Sequence, residues 1–181
     1  SIRYGIQDEN LFCKNPFEFI SHSELTSEEG FNDEIISNLL SIASKSASTP
    51  QPLVNSGEQS AGNLLISDNP NVLKIKDIIM GRIVRYRNTY HKSGVGLIEN
   101  WPVNSILFGW IVTLRQGGSL NSHMHKQGWL SGSLYLKIPE SSDSNTVHVP
   151  LCQNKMNHDL VALATENQTC TAIFGHWEDF R

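Results

Sequence analysis

His123 and His125 stand one residue apart in the stretch LNSHMHKQGW, between the pair Gly117-Gly118 and an apolar run that opens at Trp129. On an extended backbone the side chains at i and i+2 share a face, so the two imidazoles can reach a single ion while Met124 points the other way. Imidazole suits iron, zinc, copper and nickel. Two histidines and a carboxylate on one face of an octahedron hold Fe(II) with the remaining positions open for co-substrate and dioxygen. The pair alone does not complete such a set, and His-x-His fits a solvated bend as well as it fits two ligands. A structural zinc site wants four ligands in a closed tetrahedron, and Cys13, Cys152 and Cys170 are too scattered to supply them near His123. Candidates for a third ligand lie downstream: His176, which follows an apolar run in TAIFGHWEDF, then His148 and His158, and the acids Asp143, Asp159 and Glu178.

Something must hold the pair in place, and the β-rich second half supplies it. After Pro102 the runs SILFGWIVTLR and WLSGSLYLKI read as strands on either side of QGGSLNSHMHKQG, with shorter apolar pieces at TVHVPL, LVALAT and CTAIF. The Gly117-Gly118 pair would let the first strand double back. The first half is helical. Thr26 and Glu29 have capping-box spacing, and Phe31, Ile35, Leu39 and Ile42 recur near helical period, which predicts an amphipathic helix from Thr26 to about Ser44. Asn69 as N-cap, Pro70 at the first helical position and the stripe Val72, Ile75, Ile79, Ile83, Tyr86 and Tyr90 predict a second helix over 69–90. Between them Ser46–Asn63, rich in Ser, Pro and Gly, reads as an irregular connection. Gln59 and Gly62-Asn63 within it read as a structured entry loop. Helices first and strands afterwards, without alternation, predict an α+β domain whose helices pack on an antiparallel sheet assembly.

With 181 residues, 39% of them hydrophobic, the chain can bury one core, and we expect a single domain over 1–181: helical support over 1–100 and a β-rich core over 101–181. A net charge of −4 spread without long blocks carries no footprint for nucleic acid or anionic lipid. The odd number of widely spaced cysteines suits a reducing compartment, no apolar run is long enough to span a bilayer, and the first residues lack the order of a secretory signal, so the expectation is a cytoplasmic protein. The start at Ser1 leaves room for a segment upstream.

Residues 4–140 resemble a known family. YGIQ, PQPLVNSGEQSAGNLL, a long helix and WPVNSILFGWIVTLRQGGSLNSHMHKQGWLSGSLYLKIPE are similar, in this order, to 2-oxoglutarate/Fe(II)-dependent oxygenase domains often attached to tetratricopeptide repeats. The matching residues are Trp110, Gly117, Gly118, His123, His125, Gly128, Trp129, Ser131, Gly132, Tyr135 and Pro139. The resemblance implies a double-stranded β-helix, a jelly-roll or cupin-like barrel with the N-terminal helices packed outside. It implies a dioxygenase that hydroxylates a small-molecule or protein substrate, with Fe(II) held by His123 and His125 and 2-oxoglutarate bound to the same ion. His176 stands where the distal ligand would follow a strand. Trp101, Trp110 and Trp129 read as core or rim packing, with Trp129 the one best placed to wall the pocket, and Tyr135 could reach the co-substrate or simply pack. After Ser142 the chain departs from the pattern: the family's Phe-Pro-Ser and its later Arg, which pairs with the far carboxylate of 2-oxoglutarate, have no counterpart, and Arg181 stands too close to His176 for that role. A catalytically impaired or truncated β-helix module that binds a ligand or protein is the alternative this departure leaves.

Overall fold

The computed structural model describes residues 12–13, 15–49, 51–121, 123, 125, 128–138 and 170–179, the last of these, with Thr49 and Gln116, by backbone alone. Three α-helices, α1 (Asp33–Lys45), α2 (Pro70–Tyr90) and α3 (Gly96–Glu99), accompany five strands: β1 (Ser48–Thr49), β2 (Val54–Ser60), β3 (Ser105–Leu120), β4 (Gly128–Lys137) and β5 (Cys170–Asp179). The strands form one antiparallel sheet in the order β1-β2-β3-β5-β4.

α2 forms where the sequence predicts it. The Asn69 side chain accepts from the backbone N–H groups of Asn71 and Val72, Pro70 opens the first turn, and Val72, Ile75, Ile83 and Tyr86 of the stripe are buried. α1 starts later than expected. The Thr26/Glu29 capping bonds do form, but they close a single turn that Gly30 ends at φ +82°. The helix restarts at Asp33, capped by Asn32. The stretch expected to be irregular, 46–63, instead holds β1 and β2. Only Val54 is apolar in VNSGEQS, so no alternation announces the strand; its backbone pairing with β3 holds it.

Beyond Gln59↔Val112 the β2 ladder stops, and side chains take over the bare edge of β3. Ser60 Oγ accepts from the Ile111 N–H, and Asn63 accepts from the Gly109 N–H while donating to the Leu107 carbonyl. The Asn63 amide thus bonds β3 as a strand residue's peptide would.

Leu107, Ile111, Leu130 and Leu136 on one face of the sheet join Ile35, Leu39, Val72, Ile75, Ile83, Tyr86 and Leu97 in the main core. Gly109, Gly175 and Gly132 stand side by side across β3, β5 and β4 on this face, a row without side chains that suits the close approach of α1, which packs across β3 and β4. The opposite face carries Trp110, Val112, Leu114, Leu120 and Tyr135 in a smaller cluster with Val54.

β3 and β4 do not pair as a hairpin. Both run antiparallel to β5, which lies between them, so they run parallel to each other and the chain from Leu120 to Gly128 must return along the sheet. The architecture is mixed helix and antiparallel sheet, as expected. The described strands make one sheet only, and TVHVPL and LVALAT lie outside the described residues. Among the described residues no helix is long and apolar enough to cross a membrane.

Candidate metal centre

β3 leaves its partner at a defined point. Its ladder with β2 jumps from Gly57↔Leu114 to Asn55↔Ser119, so four residues of β3, Arg115 to Gly118, bulge opposite Ser56 alone. Gly117 takes φ +68°, and a Cβ on Gly118 would lie 2.6 Å from the Ser56 carbonyl oxygen and 2.7 Å from that of Arg115, so the bulge needs glycine at both positions. Pairing ends at Val54↔Leu120, and Asn121 donates its N–H to the Leu53 carbonyl at 2.7 Å.

There the two histidines meet. Their Nε2 atoms are 2.9 Å apart, with ring centroids separated by 4.9 Å, as the i, i+2 spacing predicts. Each Nδ1 is engaged: that of His123 lies 2.8 Å from the Asn121 carbonyl oxygen, and that of His125 lies 3.3 Å from Ser131 Oγ on β4. The edge of the His125 ring meets Trp110 of β3 at 5.3 Å between centroids. The pair is therefore half-buried over the middle of the sheet and is not a solvated bend. Met124 lies outside the described residues.

The hydrogen-bond roles follow from the partners. A carbonyl oxygen only accepts, so His123 Nδ1 carries a proton and a neutral His123 leaves its Nε2 lone pair bare. Without an ion, His125 Nε2–H donates to that lone pair and Ser131 donates its hydroxyl proton to His125 Nδ1. If the two Nε2 atoms held an ion, His125 would carry its proton on Nδ1 and the Ser131 hydroxyl would accept it. Metal-binding histidines commonly have the second nitrogen held this way. Distance supports the same reading. Two nitrogens bonded to one ion at about 2.1 Å stand about 3.0 Å apart when the bonds meet at a right angle, and about 3.4 Å apart at the tetrahedral angle. The observed 2.9 Å is the length of the His125–His123 hydrogen bond and lies close to the right-angle value.

Among the described residues no third His, Cys, Asp or Glu joins the pair. The register nevertheless brings one more histidine to this face. His176 of β5 stands opposite Phe108 on one side and Ser131 on the other, and residues directly opposite in an antiparallel pair share a face. Ser131 is the residue that holds His125. Glu178, two positions on, takes the same face by alternation. His148, His158, Asp143 and Asp159 lie outside the described residues.

The two co-substrate candidates part company. Tyr135 lies on the histidine-bearing face, half-buried against Val112, Leu114 and Leu120. Trp129 does not wall this site. The β4–β5 register shifts between Gly128 and Leu130, leaving Trp129 as an extra residue turned to the helical side. Its indole N–H donates to the Leu97 carbonyl at 3.0 Å and its ring meets Phe12 edge-on at 5.2 Å. Sequence reading missed Asn121 and passed over Ser131 as a site residue. The i−2 spacing of Asn121 from His123 is a signal only in retrospect.

No curated protein and no solved structure matches the chain. Residues 109–177 match the family model described as "Putative 2OG-Fe(II) oxygenase", a span that begins within β3, takes in both histidines and runs past Ser142, where the sequence reading ended the resemblance, to the residue after His176.

Proposed function

We propose that this chain is an Fe(II)- and 2-oxoglutarate-dependent dioxygenase that hydroxylates a small-molecule or protein substrate, with His123, His125 and His176 as the metal ligands. The observation that carries this reading is the convergence of two Nε2 atoms at 2.9 Å with both Nδ1 atoms already engaged. The match of residues 109–177 supports it. When bound, Fe(II) and 2-oxoglutarate supply the oxidising chemistry, with succinate and carbon dioxide released. The chain's part is to hold and orient. Asn121 and Ser131 set the ring planes and tautomers of the two histidines, and Trp110, Val112 and Leu114 give the site an apolar floor that limits water. Tyr135 offers a hydroxyl on the same face for the co-substrate.

Titration of the full chain with Mn(II), a redox-inert mimic of Fe(II), tests the ligand set. We expect His123→Ala and His125→Ala each to weaken binding at least about tenfold; unchanged affinity in both would refute the assignment.

The alternative, a β-helix module with impaired catalysis, is favoured by one feature: CTAIFGHWED, the whole of β5, contains neither Arg nor Lys. A dicarboxylate in a largely apolar site is costly to leave without a cation. On that alternative, succinate release from 2-oxoglutarate under air with Fe(II) and ascorbate stays near background, set against an active oxygenase as control. Robust release that vanishes in His123→Ala would exclude the alternative and support the dioxygenase reading.

A further inference from the structure

We infer that Asn55, on β2, is a positioning residue for the metal ligand His123, acting through Asn121; the inference rests on the metal-binding reading above.

His123 lies three residues beyond Leu120, the last β3 residue paired with β2, so the ladder does not reach it. Apart from its contact with His125 at Nε2, what orients its ring among the described residues is the bond from Nδ1 to the Asn121 carbonyl at 2.8 Å. That carbonyl is only as fixed as the residue that bears it. Asn121 is held at two points, and both lie on β2's side: its N–H donates to the Leu53 carbonyl at 2.7 Å, and its Oδ1 accepts from Asn55 Nδ2 at 2.8 Å. The same Asn55 amide also donates to Ser119 Oγ at 3.2 Å, directly across the ladder. One side chain therefore bonds residues before and after Leu120, spanning the point where β3 leaves the sheet.

Asn121 Oδ1 accepts the Asn55 amide N–H; a carboxylate at 55 would instead accept from a turned-over Asn121 amide, whereas alanine leaves no side-chain partner there. The backbone around it is already committed. Ser56, the next residue, sits at φ +46°, and Gly118 packs under the carbonyl oxygens of Asn55 and Ser56 with no room for a side chain. Asn55 and Asn121 are exposed, so water competes for each bond and the clamp acts on alignment more than on stability.

The test is Mn(II) affinity together with the visible absorption of the Co(II) form, which reports ligand arrangement, for the full chain and for Asn55→Ala, Asn55→Asp, Ser119→Ala and His123→Ala. Asn55→Ala should weaken Mn(II) by roughly three- to tenfold, less than the loss of a direct partner of a ligand, and should shift the Co(II) band, while Asn55→Asp, which can accept from a turned-over Asn121 amide, should lose less. Ser119→Ala, which removes the other acceptor and leaves the bond to Asn121, should stay within about twofold with an unshifted band. Wild-type affinity in Asn55→Ala beside a clear loss in His123→Ala would overturn the inference and leave the metal site standing. Equal effects of Ser119→Ala and Asn55→Ala, or weakened affinity with an unmoved band, would also overturn it, because the bonds would then merely stabilise the sheet edge. An unaffected His123→Ala would overturn the reading beneath it.

Discussion

Ser131 shows how much a single hydroxyl can decide. Its hydroxyl can both donate to His125 Nδ1 and accept from it, so it serves the tautomer without an ion and would serve the tautomer with one. We expect Ser131→Ala to weaken Mn(II) binding about tenfold, with the midpoint of urea unfolding of the metal-free chain little changed, because the half-buried hydroxyl contributes a single 3.3 Å bond. Ser131→Thr, which keeps a hydroxyl, should recover most of the affinity. The His-x-His pair was legible in the sequence because extended backbone puts i and i+2 on one face. Its supports were not, since Ser131 reaches His125 from another strand.

At the scale of elements, the bulge in β3 controls where the histidine segment begins. Gly117 and Gly118 are required for different reasons, and stability can separate them. At Gly117 a Cβ meets nothing within 4 Å, so Gly117→Ala costs only the left-handed backbone at φ +68°, about 1 to 2 kcal/mol. At Gly118 a Cβ would strike backbone oxygens of both strands at 2.6 and 2.7 Å. Gly118→Ala should cost more, roughly 2 to 3 kcal/mol by urea denaturation, and should lower Mn(II) affinity as well, because the displaced bulge carries Asn121 with it. The sequence reading took these glycines for a hairpin turn. A Gly-Gly pair between two apolar runs supports a bulge equally well, and the choice is made by β5, which occupies the place a hairpin partner would take.

Across the whole molecule, the sheet separates two tasks: one face packs on helices and the other carries the histidines. Ile75 of α2 is fully buried in the helical core, so Ile75→Ala should destabilise by about 2 to 5 kcal/mol. Mn(II) affinity should be retained at temperatures where the variant remains folded. Val103, 94% exposed, provides the control, and Val103→Ser should change stability by no more than about 0.5 kcal/mol. A parallel loss of metal affinity in Ile75→Ala under folding conditions would show that the two faces are coupled.

What the sequence by itself determined is local. α2 could be read from its cap, its proline and its 3.6-residue stripe, β3 and β4 from their apolar composition, and the paired histidines from period-two geometry, since each signal is complete within a few residues. The tertiary structure decided the rest through contacts between distant parts of the chain. β2 exists because β3 pairs with its backbone, and β5 brings His176 to the histidine-bearing face because it inserts between β3 and β4. Trp129 turns toward α3 because the β4 register slips by one residue. A one-residue slip changes the face a side chain occupies while leaving composition and spacing untouched, so only the assembled sheet reveals it.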